Sequence, residues 1–166
     1  MHALERRILA LYYGATEQEL HEGMDWYSNA PIECRRIADG YGIRVEKVAG
    51  VVAALSPGLP WSLNLEQAEY FIRHVQAGAS MEDASALTVG VYGQGNRLKA
   101  YRILKSDGEF DTVINLLGKR GPKTRAFFTN IAKPYHLGLP LGYNGAVTID
   151  RHAKAAAYNI VENRDK

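Results

Sequence analysis

The chain has 166 residues, 46% of them hydrophobic, and a formal net charge of +2. That length and apolar content suit one hydrophobic core, or a core with a small lobe, and no stretch is polar enough to stay unfolded. One cysteine, Cys34, excludes an internal disulfide framework and any multi-cysteine metal or iron–sulfur site.

Residues 2–13 place Leu4, Ile8, Leu11 and Tyr12 at helical spacing, and Gly14 ends that helix. Thr16 and Glu19 form a capping-box pattern for a second helix, which carries Leu20, Met24 and Tyr27 and is expected to bend at Pro31 before Gly40 and Gly42 stop it. Residues 45–55 are apolar on most sides and read as a central core helix. Ser56-Pro57-Gly58-Leu59-Pro60-Trp61 breaks it, and Ser62 opens another helix. Ser80 and Asp83 head a short helix through Leu87. Tyr92 to Gly95 reads as a flexible turn before a basic amphipathic helix over 96–104. Residues 110–117 and 122–131 form a helical hairpin, 133–146 a Gly/Pro-rich loop, and 150–161 a last helix. No strand pair and no internal repeat stand out, so the fold class is all-α. No apolar run approaches the roughly 20 residues needed to cross a bilayer, and residues 1–11 lack a signal-peptide pattern. A cytoplasmic protein without a membrane segment is the expectation.

Charge is unevenly spread. Residues 1–93 hold 7 Lys/Arg against 12 Asp/Glu, whereas residues 94–166 hold 13 against 6. Clustered cations neutralise phosphates and release counterions, so the basic half leans toward nucleic acid; a solvated helix surface is the plain alternative. The hairpin lies in that half. Gly118 and Gly121 flank a turn that suits positive φ, and Pro122 suits a first helical position. Its free amides, with Lys119, Arg120, Lys123 and Arg125 around them, would accept a phosphate; an ordinary helix corner with exposed lysines has the same spacing.

Three further candidates each have a structural alternative. Asp150 precedes an alanine-rich helix and serves as an N-cap, but a carboxylate there could also stabilise a cationic sugar or activate a nucleophile. His152 fits a packing or surface role as well as a site. Trp61 either covers the core or acts as a wedge or stacking platform, and Asn64 is a candidate tether between helices.

Four segments, in order, carry a family likeness. They are Val52-Ala53-Ala54-Leu55-Ser56-Pro57 through Asn64 and Ala68; Gly90 through Tyr92, with Asn96, Lys99, Ala100, Ile103 and Leu104; Leu117 through Ala126; and Val147-Thr148-Ile149-Asp150-Arg151-His152. In these the chain resembles the helix-hairpin-helix DNA glycosylase superfamily, the endonuclease III-like enzymes, over about residues 45–160. The resemblance implies one compact chain of two small helical lobes with a cleft between them. Residues 45–161 would form the core, 111–131 the hairpin, and the helices of 1–44 would complete the second lobe. It implies that Lys123 takes the place of the amine that attacks the sugar C1′, and Asp150 that of the catalytic aspartate. Gly118, Lys119, Arg120, Gly121, Thr124 and Arg125 would hold DNA, at a turn where the family often carries a monovalent cation; no other metal or cofactor is implied. Trp61, Asn64, Tyr135, His136, Tyr143, Asn144 and His152 would supply the base pocket or wedge.

The departures are specific. Lys119 stands where the family has its first hairpin glycine, the usual probing glutamine is replaced near Pro57-Gly58, and little chain follows Asp150. The expected function is a DNA-binding enzyme acting on a flipped, modified base: a glycosylase, with or without AP-lyase activity. The expected partner is double-stranded DNA bound by a monomer, in a bacterial or phage-infected cell. Two rivals keep the fold: an amino-acid:DNA transferase of phage thymidine hypermodification, displacing pyrophosphate from activated 5-hydroxymethyluracil, and a non-catalytic DNA-binding module.

Overall fold

The computed structural model describes residues 3–91, 93–119 and 121–137, with the backbone alone for 3–4, 22–28 and 133–137. All regular structure among the described residues is helical: α1 (Ala3–Gly14), α2 (Glu17–Tyr41), α3 (Val45–Leu55), α4 (Trp61–Gln76), α5 (Met81–Ala86), α6 (Gly93–Lys105), α7 (Phe110–Leu117) and α8 (Pro122–Leu137). The all-α expectation holds, and none of these helices is long and apolar enough to cross a membrane.

The helix starts follow local chemistry. The Glu19 amide donates to Thr16 Oγ1 at 3.2 Å, and the Thr16 amide donates to Glu19 Oε2 at 2.8 Å, closing the capping box of α2. Donation from the Thr16 amide, and next from the Thr16 hydroxyl at 2.9 Å, holds the Glu19 carboxyl below its ordinary value. Ser80 and Asp83 repeat the device at α5. Helix α2 continues through Pro31 and stops at Gly42, whose φ of 61° lets its amide reach the Ala38 and Asp39 carbonyls.

Helix α3 is the centre. All its residues except Lys47 are buried, and it packs against α2, α4, α6, α7 and α8. A Cβ on Gly50 would lie 2.5 Å from Val113 Cγ1 and 3.0 Å from Ile103 Cγ2, so the absent side chain sets how closely α6 and α7 approach. Phe71, Ile72, Ile103 and Phe128 close the core around α3, with Phe110 and Phe128 rings 4.9 Å apart. Each such side chain contributes roughly 1.5–3 kcal/mol on burial. At the start of α3, Arg44 forks onto the buried Glu46 (3.4 Å to each oxygen) and reaches Glu109 at 2.7 Å, tying α3 to the start of α7. Hydrogen bonding to Glu46 is the main reason the Arg44 guanidinium is held above its ordinary range.

Two sequence expectations change. Helix α6 begins at Gly93, not Asn96, because Gln94 donates to Ser85 Oγ (3.0 Å) and Arg97 donates to the Ser85 and Val89 carbonyls (2.6 and 3.2 Å). Side chains therefore fix a corner that composition reads as a loose turn. Residues 133–137, expected in a loop, are the last part of α8. Burial of Phe127, Phe128, Ile131 and Ala132 carries that helix past Pro134, despite a cost of about 3 kcal/mol for an interior proline. Helix α1 forms as expected, but Ile8 and Leu11 on its apolar face are each 50% exposed.

Candidate nucleic-acid interface

The hairpin takes the shape its residues dictate. Leu117 is buried and anchors the end of α7. Gly118 follows at φ 85°, a region that glycine enters without a Cβ penalty. Its amide donates to the Asn115 carbonyl at 3.0 Å, and its carbonyl accepts from the Gly121 amide at 3.4 Å. The Gly121 carbonyl accepts from the Arg125 amide at 3.0 Å, which starts the α8 ladder with Pro122 as its first residue. Lys119 and Lys123 are exposed, while Thr124 and Arg125 are half-buried.

A concavity of about 460 Å³ opens between the hairpin and α6, lined by Lys99, Leu117, Gly118, Lys119 and Gly121. Among the described residues no carboxylate lines it. Lys99, Arg102, Lys119 and Arg125 form no ion pair with a carboxylate among the described residues, whereas Arg35, Arg36 and Arg44 are each paired. A second concavity, about 400 Å³, lies between α4 and the α5–α6 connection and includes Glu66, Glu69 and Arg73. Its mixed charge makes it a poor phosphate surface.

Two uncharged loops meet near the C-terminal end of α3. In the first, Ser56 Oγ donates to the Ala53 carbonyl (3.0 Å), the Leu59 amide closes a turn onto the Ser56 carbonyl (3.1 Å), and Gly58 takes φ 80°. Trp61 then starts α4 with its ring edge-on to Phe127, centroids 6.2 Å apart at 84°. Phe127 lies one turn beyond Lys123, so this contact joins the loop to the hairpin's second helix. In the second loop, the Gly90 amide donates to Gln67 Oε1 at 2.6 Å, and a Cβ on Gly90 would stand 3.5 Å from Leu55 Cδ2. Val91, the next residue, is 57% exposed on this pinned support.

The sequence candidates therefore separate. Gly118, Lys119, Gly121, Lys123, Thr124 and Arg125 sit together at the hairpin. Trp61 is half-buried beside it. Asn64 lies beneath the first loop, 2% exposed; its Nδ2 donates to the Val52 carbonyl at 3.2 Å, and its Oδ1 has no partner among the described residues. That is the tether role. Tyr135 and His136 fall on the last turn of α8, where the backbone alone is described. Arg120, Tyr143, Asn144, Asp150 and His152 lie outside the described residues. Sequence reasoning assigned no site role to Lys99 or Val91. Both lie in the second family-like segment, where Lys99 reads as one cation of a basic helix and Val91 as an apolar residue in a glycine-flanked turn. Among the described residues, no three His, Cys, Asp or Glu side chains gather as metal ligands would.

Among the described residues the arrangement is all-helical, with a basic hairpin set beside two uncharged loops. Over its whole length, residues 1–166, the chain matches a family of unknown function (DUF7178), and it belongs to that family. No curated protein and no solved structure matches it.

Proposed function

We propose that the protein is a DNA-binding enzyme of helix-hairpin-helix glycosylase type, acting on a modified base turned out of the duplex. One observation carries this reading: the hairpin and α6 present Lys99 and Lys119 around a glycine turn, with no carboxylate among the described residues that line the concavity. Cations left without carboxylates on one face suit a phosphate backbone, which supplies most of the sequence-independent affinity of such proteins. Uncharged loops next to that face suit bases rather than phosphates. Val91 is the exposed apolar group that would fill the gap left by an extruded nucleotide, at an unstacking cost of a few kcal/mol. Trp61, packed on Phe127, would stiffen the loop that meets the opposite side of the gap.

In this reading DNA is held by the hairpin, and the target nucleotide enters the space that Lys123 and Asp150 share. Lys123 would attack the sugar C1′ as the base departs, forming a Schiff base. Asp150 would stabilise the positive charge that develops on the sugar. The test is borohydride trapping on duplexes bearing an abasic site or a panel of thymine modifications. A covalent adduct lost in Lys123→Ala supports a lyase, and base release without an adduct supports a monofunctional glycosylase.

The two-lysine concavity also favours a second reading, transfer of an amine to an activated 5-hydroxymethyl base with pyrophosphate as the leaving group. Lys99 and Lys119 would then receive the pyrophosphate. Turnover on activated modified DNA alone would select it. DNA binding with neither base release nor transfer would leave a non-catalytic DNA-binding module.

A further inference from the structure

The glycosylase-type reading brings a monovalent cation to the hairpin turn, and the residues at this turn do not fit one. Such an ion needs several outward-facing carbonyl oxygens and tolerates no ammonium beside it. Here the Gly118 carbonyl already accepts the turn bond from Gly121 and the Gly121 carbonyl the first ladder bond of α8, which leaves each of these two oxygens one lone pair, but the stronger obstacle is charge. The concavity that the turn opens onto is lined by two ammonium-bearing side chains, Lys119 from the turn itself and Lys99 from α6. Among the described residues no carboxylate lines it to offset them. Lys99 is half-buried on α6, next to the buried Ala100, and lines the concavity opposite the hairpin turn.

We infer that this concavity is a phosphate-oxyanion subsite in which Lys99 and Lys119 supply the positive charge that a bound monovalent cation would otherwise provide, with Lys99 closing the site from α6. The inference rests on the proposed DNA reading for the identity of the natural phosphate, but the subsite itself can be probed without DNA. Two elements far apart in sequence build it, which makes Lys99 a binding residue and not merely part of a basic helix. It also gives a reason for Lys119 at a position where a glycine would leave room for an ion. A phosphodiester and a free pyrophosphate present the same oxyanion chemistry, and the two arms of the experiment separate them.

In the first arm, backbone amide shifts of Gly118, Lys119 and Gly121 are followed by NMR in the full chain during titration with inorganic pyrophosphate. The titration is run in potassium and again in N-methylglucamine at equal ionic strength. The expected result is saturable movement with the anion in both salts. It weakens about tenfold in Lys99→Ala, as loss of one charge-assisted contact predicts, and largely recovers in Lys99→Arg. In the second arm, duplex DNA binding is read by anisotropy in the same two salts. The expected affinity is the same within about twofold, and Lys99→Ala reduces the dependence on salt by about one phosphate. Saturable amide movement on adding potassium without an anion, or DNA affinity more than tenfold higher in potassium, overturns the inference. So does absence of pyrophosphate movement in either salt. Pyrophosphate movement with no DNA binding at any salt keeps the subsite and removes the DNA reading instead.

Discussion

Cations on α2 and at the start of α3, and cations on α6 and the hairpin, carry the same charge in opposite settings. Arg36 meets Glu33 at 3.0 Å and Glu69 at 3.5 Å, and Arg44 meets Glu46 and Glu109. On the α6–hairpin side, Lys99, Arg102, Lys119 and Arg125 have no carboxylate partner among the described residues. The first side uses charge to join elements: Arg44 links the start of α3 to the start of α7, and Arg36 links α2 to α4. The second side leaves charge facing solvent around a concavity. A cation joined to a carboxylate has little field left for an outside anion, so the two sides would meet such an anion differently.

The comparison can be broken most severely at the chemistry itself. Asp150→Asn is expected to reduce base release or transfer by about 10²–10⁴-fold while leaving DNA affinity within a few-fold, measured as single-turnover rate against anisotropy. Equal losses in both would assign Asp150 to binding or capping. Next in size, Lys119→Ala with Arg125→Ala should weaken duplex binding by roughly ten- to a hundredfold and flatten its salt dependence by about two phosphates. Arg36→Ala should leave binding unchanged, and a similar loss there would erase the distinction between the two sides.

The paired side is sharpened by stability measurements. Arg44→Met leaves Glu46, 6% exposed, without its guanidinium, and should cost about 1–3 kcal/mol in chemical denaturation with DNA affinity intact. Gly50→Ala, in the helix beneath both sides, should cost a similar 1–3 kcal/mol, because the new methyl meets Val113.

The smallest effect is in pH. The Ser80 hydroxyl and amide hold the Asp83 carboxyl below its ordinary value, as the Glu109 amide chiefly does for Asp107. A depressed folded value means that the unfolded chain binds more protons in the window below the ordinary carboxylate range, about pH 4. These groups therefore contribute stability above that range, and the contribution is lost as pH falls through their folded values. Melting temperature should show no loss from these carboxyls between pH 5 and 7 and fall below about pH 4, with Asp83→Asn shallower over that fall.

Much of this architecture was legible from local chemistry. Thr16–Glu19 and Ser80–Asp83 fix helix starts within three residues of chain, Gly42 and Gly118 need positive φ where the chain turns, and the apolar run of α3 marks a helix buried on all sides. Gly118, Lys119 and Gly121 were legible as a basic glycine turn for the same reason. Periodicity reports one helix at a time, so it could not bring Lys99 to the hairpin, pin Gly90 with Gln67 from 23 residues away, or pair Arg44 with Glu109. It also read Gly93 to Gly95 as a turn and residues 133–137 as a loop, because the glycines and Pro134 lower local helix propensity, whereas the Ser85–Gln94–Arg97 bonds and the buried Phe128 and Ile131 override it. The sequence by itself determined the helices, their caps and the sign of charge in each half. Only the tertiary structure decided which cations are neutralised by carboxylates and which are left to meet an anion, because that depends on distances between elements that no local pattern contains.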